Sequence, residues 1–366
     1  MTVDLISGSL VILFLYDVSD EIRLEELRKI LKAPQPGREP AFRHSAPGYV
    51  RFARPPVIET VTGLTVEGAE PLRGQLAYYD YGVVSLKLEV PFQGSWQDVI
   101  QLSARWMNAA DLERAAAEEV ARRVVRAEPA LVDPYKERLS EDYFIIHLRS
   151  VSSGDAAMPS AAYLIDHCSE YIAQIVRGES TAFSADEIAE IFESKMSYSQ
   201  DDLLVVGWTG ALLYDTPEGA APTLQLLEYA NTQLLEFRHY DEVLTRRLEY
   251  VYRFLEKKRG PLARWRLGGE AERLNTIRLE VRELTERVDN SIKFLSDMFS
   301  ARLYRMAAAK IGVPDYRTLV EQKLQSAADL YSSMMNSFYQ ARAFILELMV
   351  VIILIIELVF LFRGVK

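Results

Sequence analysis

The hydrophobic rhythm of the chain changes near residue 220. Before that point short apolar runs alternate with amphipathic segments; after it a helical period persists almost to the last residue. SLVILFLYD is a continuous apolar run, which predicts a strand buried on both faces, and EIRLEELRKILKA predicts an amphipathic helix. The Pro/Gly-rich APQPGREPAFRHSAPG predicts a loop, YVRFA the start of a strand, and LAYYDYGVVSLKLEV one or two strands. SWQDVIQLSARWM and AADLERAAAEEVARRVV predict helix, and DYFIIHLRSV a strand. That β-α-β-β-α-β order suits a ferredoxin-like α+β layer. Two helices, AAYLIDHCSEYIAQIV and SADEIAEIFESKM, follow, and LLVVGWTGALLYD predicts a hairpin turning between Gly207 and Gly210.

Beyond Pro217 and Pro222 the pattern predicts three long helices, Leu224–Arg259, Glu270–Ile311 and Pro314–Phe362, divided by RGPLARWRLGG and GVPD. Leu274, Ile277, Val281, Leu284, Val288, Ile292, Leu295 and Phe299 form one seam. Val320, Leu324, Ala327, Tyr331, Met334, Phe338, Ala341, Ile345, Leu348 and Ile352 form another. Seams of this spacing bury against partner helices, either in an antiparallel coiled-coil hairpin with a third strand or between identical subunits. The expected organisation is an α+β head over residues 1–155, helices and a β-hairpin completing it over 156–221, a coiled-coil stalk over 222–342, and a tail over 343–366.

The tail carries the strongest physical signal. From Phe344 to Phe362 there are 19 residues, 17 of them apolar and two of them glutamates. As a helix that stretch is roughly 28 Å long, about the thickness of a hydrocarbon core. Its Leu, Ile, Val and Phe side chains favour insertion by roughly −5 to −10 kcal/mol in total, and a mid-span carboxylate costs about +2.5 to +3.5. Glu347 lies near the start and Glu357 about two turns from the end, so neither is central. The apolar character runs all round the helix, including Phe344, Leu348, Ile352, Ile355 and Phe362, and Arg363 and Lys366 follow. The expectation is a single-pass tail anchor with the soluble part in the cytoplasm. Glu347 and Glu357 are then the intramembrane polar groups, protonated, paired or facing a partner.

Charge refines this picture. Residues 1–221 hold 20 Lys and Arg against 34 Asp and Glu, whereas residues 222–342 hold 20 against 16. An acidic front half is a poor sleeve for a phosphate backbone, so direct nucleic-acid binding is not expected. The single cysteine, Cys168, excludes an internal disulfide framework and suits a reducing compartment. MTVDLISGSLVILFLYD has no Lys or Arg and only a short apolar run, which does not read as an export signal.

Catalytic motifs are absent: the sequence has no P-loop, HExxH, GxSxG or paired CxxC. The four histidines, His44, His147, His167 and His239, are scattered, and His147 in its apolar strand reads as a satisfied core residue. The expectation is a non-enzymatic protein without cofactor or metal.

Two polar stretches stand out. FRHYDE, with Arg238, His239, Tyr240 and Asp241, interrupts an apolar seam. It reads either as a solvated face or as a register-setting patch in which Arg238 pairs with Asp241 or with Ser291 or Asp289. The stretch RFLEKKRGPLARWRLGG gathers Lys257, Lys258, Arg259, Arg264, Trp265 and Arg266 at a helix-hairpin tip. It is an ordinary charged loop or a surface for anionic headgroups or a partner.

LLVVGWTGALLYD, LLEYANTQLLEFRHYDEVL, LEVRELTERVDNSIKFLSDMF and ELMVVIILIIELVF, taken in order over about residues 200–364, resemble the required-for-meiotic-nuclear-division family and its bacterial YagE-type members. The resemblance implies an integral membrane protein that self-associates through coiled coils, whose mitochondrial members sit at the inner membrane and support translation by holding ribosomes there. It supplies no catalytic residues. The composite expectation is a tail-anchored membrane scaffold, a homo-oligomer that presents its acidic head to a cytoplasmic protein partner. The alternatives are a ribosome-associated tether, which the family resemblance implies, and behind it an enzyme with a site in the acidic head.

Overall fold

The computed structural model describes residues 5–33, 55–66, 70–152, 159–256, 269, 272–279, 281–283 and 298–364. Strand β1 (Leu5–Asp17) lies in the middle of the fold. It pairs antiparallel with β5 (Val83–Gly94) on one side and β7 (Ser140–Ser152) on the other. A central strand covered on both faces has no solvent side, which is why its sequence is a run of apolar residues rather than an alternation.

The sheet grows outward from β1 in both directions. Beyond β5 come β4 (Leu72–Tyr78) and β3 (Val57–Leu64), and beyond β7 come β10 (Gly210–Tyr214), β9 (Leu203–Val206) and β8 (Lys195–Met196). All neighbours are antiparallel except β7 and β10, which run parallel. Two further strands, β2 (Ser19–Ile22) and β6 (Leu131–Pro134), form a separate ribbon. Among the described residues the domain is thus a mixed α/β sheet of eight strands, not the smaller ferredoxin-like layer that the element order suggests. The difference arises at the margins, where β3 extends one edge and the β9–β10 hairpin is added beside β7 by a non-local parallel pairing.

Five helices cover one face: α1 (Leu24–Leu31), α2 (Trp96–Met107), α3 (Ala110–Ala127), α4 (Ala161–Arg177) and α5 (Ala185–Glu193). Leu10, Ile12 and Phe14 of β1 join one core with Leu27, Val99, Val120 and Ile172 from those helices. Local chemistry starts these helices where they start. Ser95 and Asp98 form a reciprocal capping box on α2, and Ser160 and Ser184 cap α4 and α5. The alternate residues of β1, Val11, Leu13 and Leu15, are also buried, on the face where α6 (Pro217–Glu256) reaches the sheet through side-chain contacts.

Gly82 closes the β4–β5 turn at φ 95°, and a Cβ there would lie 1.7 Å from the carbonyl oxygen of Ser19. Only glycine satisfies both the left-handed backbone and the close approach. Gly312, at φ 97°, separates α7 (Met298–Ile311) from α8 (Val313–Arg363); its N–H bonds back to Ala308 and Ala309.

The chain divides into two compact units, Met1–His239 with Val288–Tyr316, and Tyr240–Arg287 with Arg317–Lys366. The first unit takes in the start of α6 and all of α7, which the sequence reading assigns to the stalk. Within the second unit Leu248, Val251, Leu274, Ala327 and Met334 form an apolar cluster flanked by Leu330, Tyr331 and Met335. Leu274, Ala327, Tyr331 and Met334 are seam residues of the sequence pattern.

Candidate functional site

Helix α8 leaves the residues that the sequence pattern proposes for an anchor exposed. Phe344, Leu348, Ile352, Ile355 and Phe362 are all exposed, and the apolar window of this helix is 0% buried. Glu347 and Glu357 are exposed as well. The helix is long and apolar enough to cross a membrane. Arg342 and Arg363 bracket the apolar stretch, about 31 Å apart at the helical rise, and Tyr339 lies just before it. Cations and aromatic residues at those positions match the two headgroup layers of a bilayer. Contiguous apolar patches on soluble monomers rarely exceed a few hundred Å², so an uncovered stretch of this extent marks a contact surface.

The other concentration of chemistry lies in the first unit, where α6 meets the sheet through polar side chains. Tyr79 Oη donates to Glu228 Oε1 at 3.0 Å, and the Tyr81 and Thr232 hydroxyls lie 2.9 Å apart. Arg238 pairs with Glu141 of β7. His239 Nδ1 lies 2.6 Å from Asp17 Oδ2 at the end of β1, and Tyr135 stacks on the imidazole with ring centres 4.6 Å apart. The Tyr135 hydroxyl in turn donates to Asp20. Gln233 and Glu236 are also buried on α6. A polar group out of water costs free energy unless it is paired, so this seam ties α6 to one register on the sheet. Burial pushes the Asp17 carboxyl up from its ordinary range, against the pull of the hydrogen bond and charge of His239.

FRHYDE is therefore not one patch with one set of partners. Arg238 and His239 engage β7 and β1, and neither pairs with Asp241, the partner the spacing offers. Asp241, in the second unit, takes a 2.6 Å ion pair from Lys323 of α8. Tyr240 is half-buried. Lys257, Lys258, Arg259, Arg264, Trp265 and Arg266 lie outside the described residues, as do Asp289 and Ser291. Sequence reasoning did not single out Asp17, Glu141, Tyr135, Tyr79 or Glu228. For Asp17, Glu141, Tyr135 and Tyr79 the signal is a surplus of Tyr and acidic residues at strand ends, which reads equally well as turn chemistry; Glu228 lies within α6 and carries no such signal.

His147 is buried, and its Nε2 lies 3.0 Å from the Asp215 carbonyl oxygen, a satisfied core histidine as its strand context suggests. Among the described residues no group of three or more His, Cys, Asp or Glu side chains is arranged to hold a metal ion. The buried Asp17–His239 pair can hold a proton. Asp17 is sealed from solvent.

Fold and site together define a mixed α/β sheet domain followed along the chain by a helix of membrane-crossing length and composition. The chain belongs to the family described as "Uncharacterized protein MJ0711, N-terminal domain", which residues 7–221 match. Over 188 residues it is 21% identical to Uncharacterized protein MJ0711 of Methanocaldococcus jannaschii, a stretch covering 51% of this chain and 58% of that protein. No solved structure matches the chain. The family match ends at residue 221, in the second turn of α6, so it concerns the sheet domain and not α8.

Proposed function

We propose that the protein is a non-enzymatic membrane scaffold, anchored by α8, which self-associates through its helical unit and offers the acidic sheet domain to a cytoplasmic protein partner. The carrying observation is the apolar stretch of α8, whose window is 0% buried although it is the most hydrophobic part of the chain. Leaving it in water forfeits the several kcal/mol that insertion supplies. The resemblance of residues 200–364 to the required-for-meiotic-nuclear-division family supports the same reading, since that family implies membrane integration and coiled-coil association. The seam residues gathered around Leu248 and Met334 support helix–helix association within the second unit.

The test is flotation with phosphatidylcholine vesicles at high salt, followed by light scattering of the full chain in detergent. The expected results are flotation and a protein mass of more than one chain. Failure to float overturns the anchor, and a monomeric mass overturns self-association.

A further inference from the structure

On the sheet face that carries α6, a groove of about 620 Å³ opens over β4, β5, β1 and β7. That volume is within the ordinary range of small-molecule sites. Its cations come from three strands: Arg73 of β4, Lys87 of β5 and Arg149 of β7. Convergence of this kind is unexpected in a region where acidic side chains outnumber basic ones 34 to 20.

The three are unequally committed. Arg149 donates to Glu89 at 2.6 Å and to Ser9 Oγ at 3.1 Å, and Lys87 stands 3.9 Å from the buried carboxylate of Glu228. The side chains of Arg73 and the neighbouring Gln75 have no hydrogen-bond or ion-pair partner among the described residues, although both line the groove. Glu89 is the single carboxylate among the lining side chains, and Arg149 engages it.

The opposite wall is apolar, built by Pro217, Ala221 and Leu224 of α6. Pro217 has no N–H, and the N–H of Gly219 is taken by Thr216 Oγ1 at 3.2 Å, so the helix start adds surface rather than an anion cradle. One wall is therefore cationic with unused donors, and the other is aliphatic.

We propose that this groove binds a small organic anion, a phosphate or carboxylate head on a short apolar body. The head lies against Arg73 and Gln75, where a planar guanidinium gives a two-pronged match to either acid. The body lies along Ala221 and Leu224. The inference does not rest on the membrane reading.

The experiment is equilibrium dialysis of the full chain in nonionic detergent against hexyl phosphate, hexanoate, hexylamine and inorganic phosphate, with protein-free detergent subtracted. Uptake of one hexyl phosphate or hexanoate per chain is expected, with weaker uptake of inorganic phosphate and none of hexylamine. Arg73→Glu is expected to weaken anion binding at least about tenfold. Ala221→Trp is expected to weaken it by occupying the apolar side of the groove. Both positions are exposed, and both variants are expected to keep the thermal midpoint of the parent. If wild type takes up no anion at roughly millimolar concentration, the proposal is overturned. Equal uptake of hexylamine, or unchanged binding in both variants, overturns it as well. Stronger retention of inorganic phosphate than of hexyl phosphate assigns the site to a free phosphate and removes the apolar body from the proposal.

Discussion

His239 Nδ1 and Asp17 Oδ2, 2.6 Å apart, join helix α6 to the end of the central strand. Burial raises the Asp17 pKa, so folding favours the protonated carboxyl over the ionised one. A raised carboxylate contributes stability that is fully present below its unfolded pKa, near 4, and is lost as pH rises through the higher folded value. Asp17→Asn keeps the neutral form at every pH. Its thermal midpoint is therefore expected to fall less than that of wild type as pH is raised from about 4 towards neutrality. Parallel curves for the two proteins contradict the assignment.

Arg238 and Glu141 are both partly buried and paired across α6 and β7. Urea unfolding of Arg238→Ala, Glu141→Ala and the double variant is expected to give a coupling energy of about 1–3 kcal/mol. Additive single effects show that the seam at this point is only a surface contact.

Gly82→Ala is expected to destabilise the sheet domain by about 2–4 kcal/mol, combining a left-handed backbone with a clash against the Ser19 carbonyl. The measurement is the denaturant midpoint. Gly63→Ala is the control, since its φ is 78° but nothing lies within 4 Å of the added Cβ, and a smaller loss is expected there.

Much of the sheet is legible in the sequence for a physical reason. Leu10–Leu15 is a continuous apolar run because β1 sits between two strands with both faces covered. β3, by contrast, is hard to read. VIETVTGL buries Val57, Val61 and Leu64 but exposes Ile58, the mixed pattern of an edge strand. The polar seam was legible only from one side. FRHYDE stands out because it breaks an apolar helix, yet Asp17, Tyr135 and Glu141 are brought to it by strand pairing far along the chain. The cationic groove left no local trace at all, since Arg73, Lys87 and Arg149 come from three separate strands.

The anchor reading makes a graded prediction. A cation placed at the middle of the span costs about 2.5–3.5 kcal/mol, so Ile352→Arg with Ile355→Arg removes most or all of the insertion energy. Membrane retention of that double variant is expected to collapse, whereas Glu357→Leu is expected to retain the chain at least as well as wild type. Equal retention of all three places the binding energy somewhere other than α8.

The most direct measurement is alkaline-carbonate extraction of membranes from cells making the full chain or a version ending at Gln340. Only the full chain is expected to resist extraction, which makes α8 an integral anchor. Release of both proteins contradicts it, and turns the exposed apolar face of α8 into an interface between protein chains.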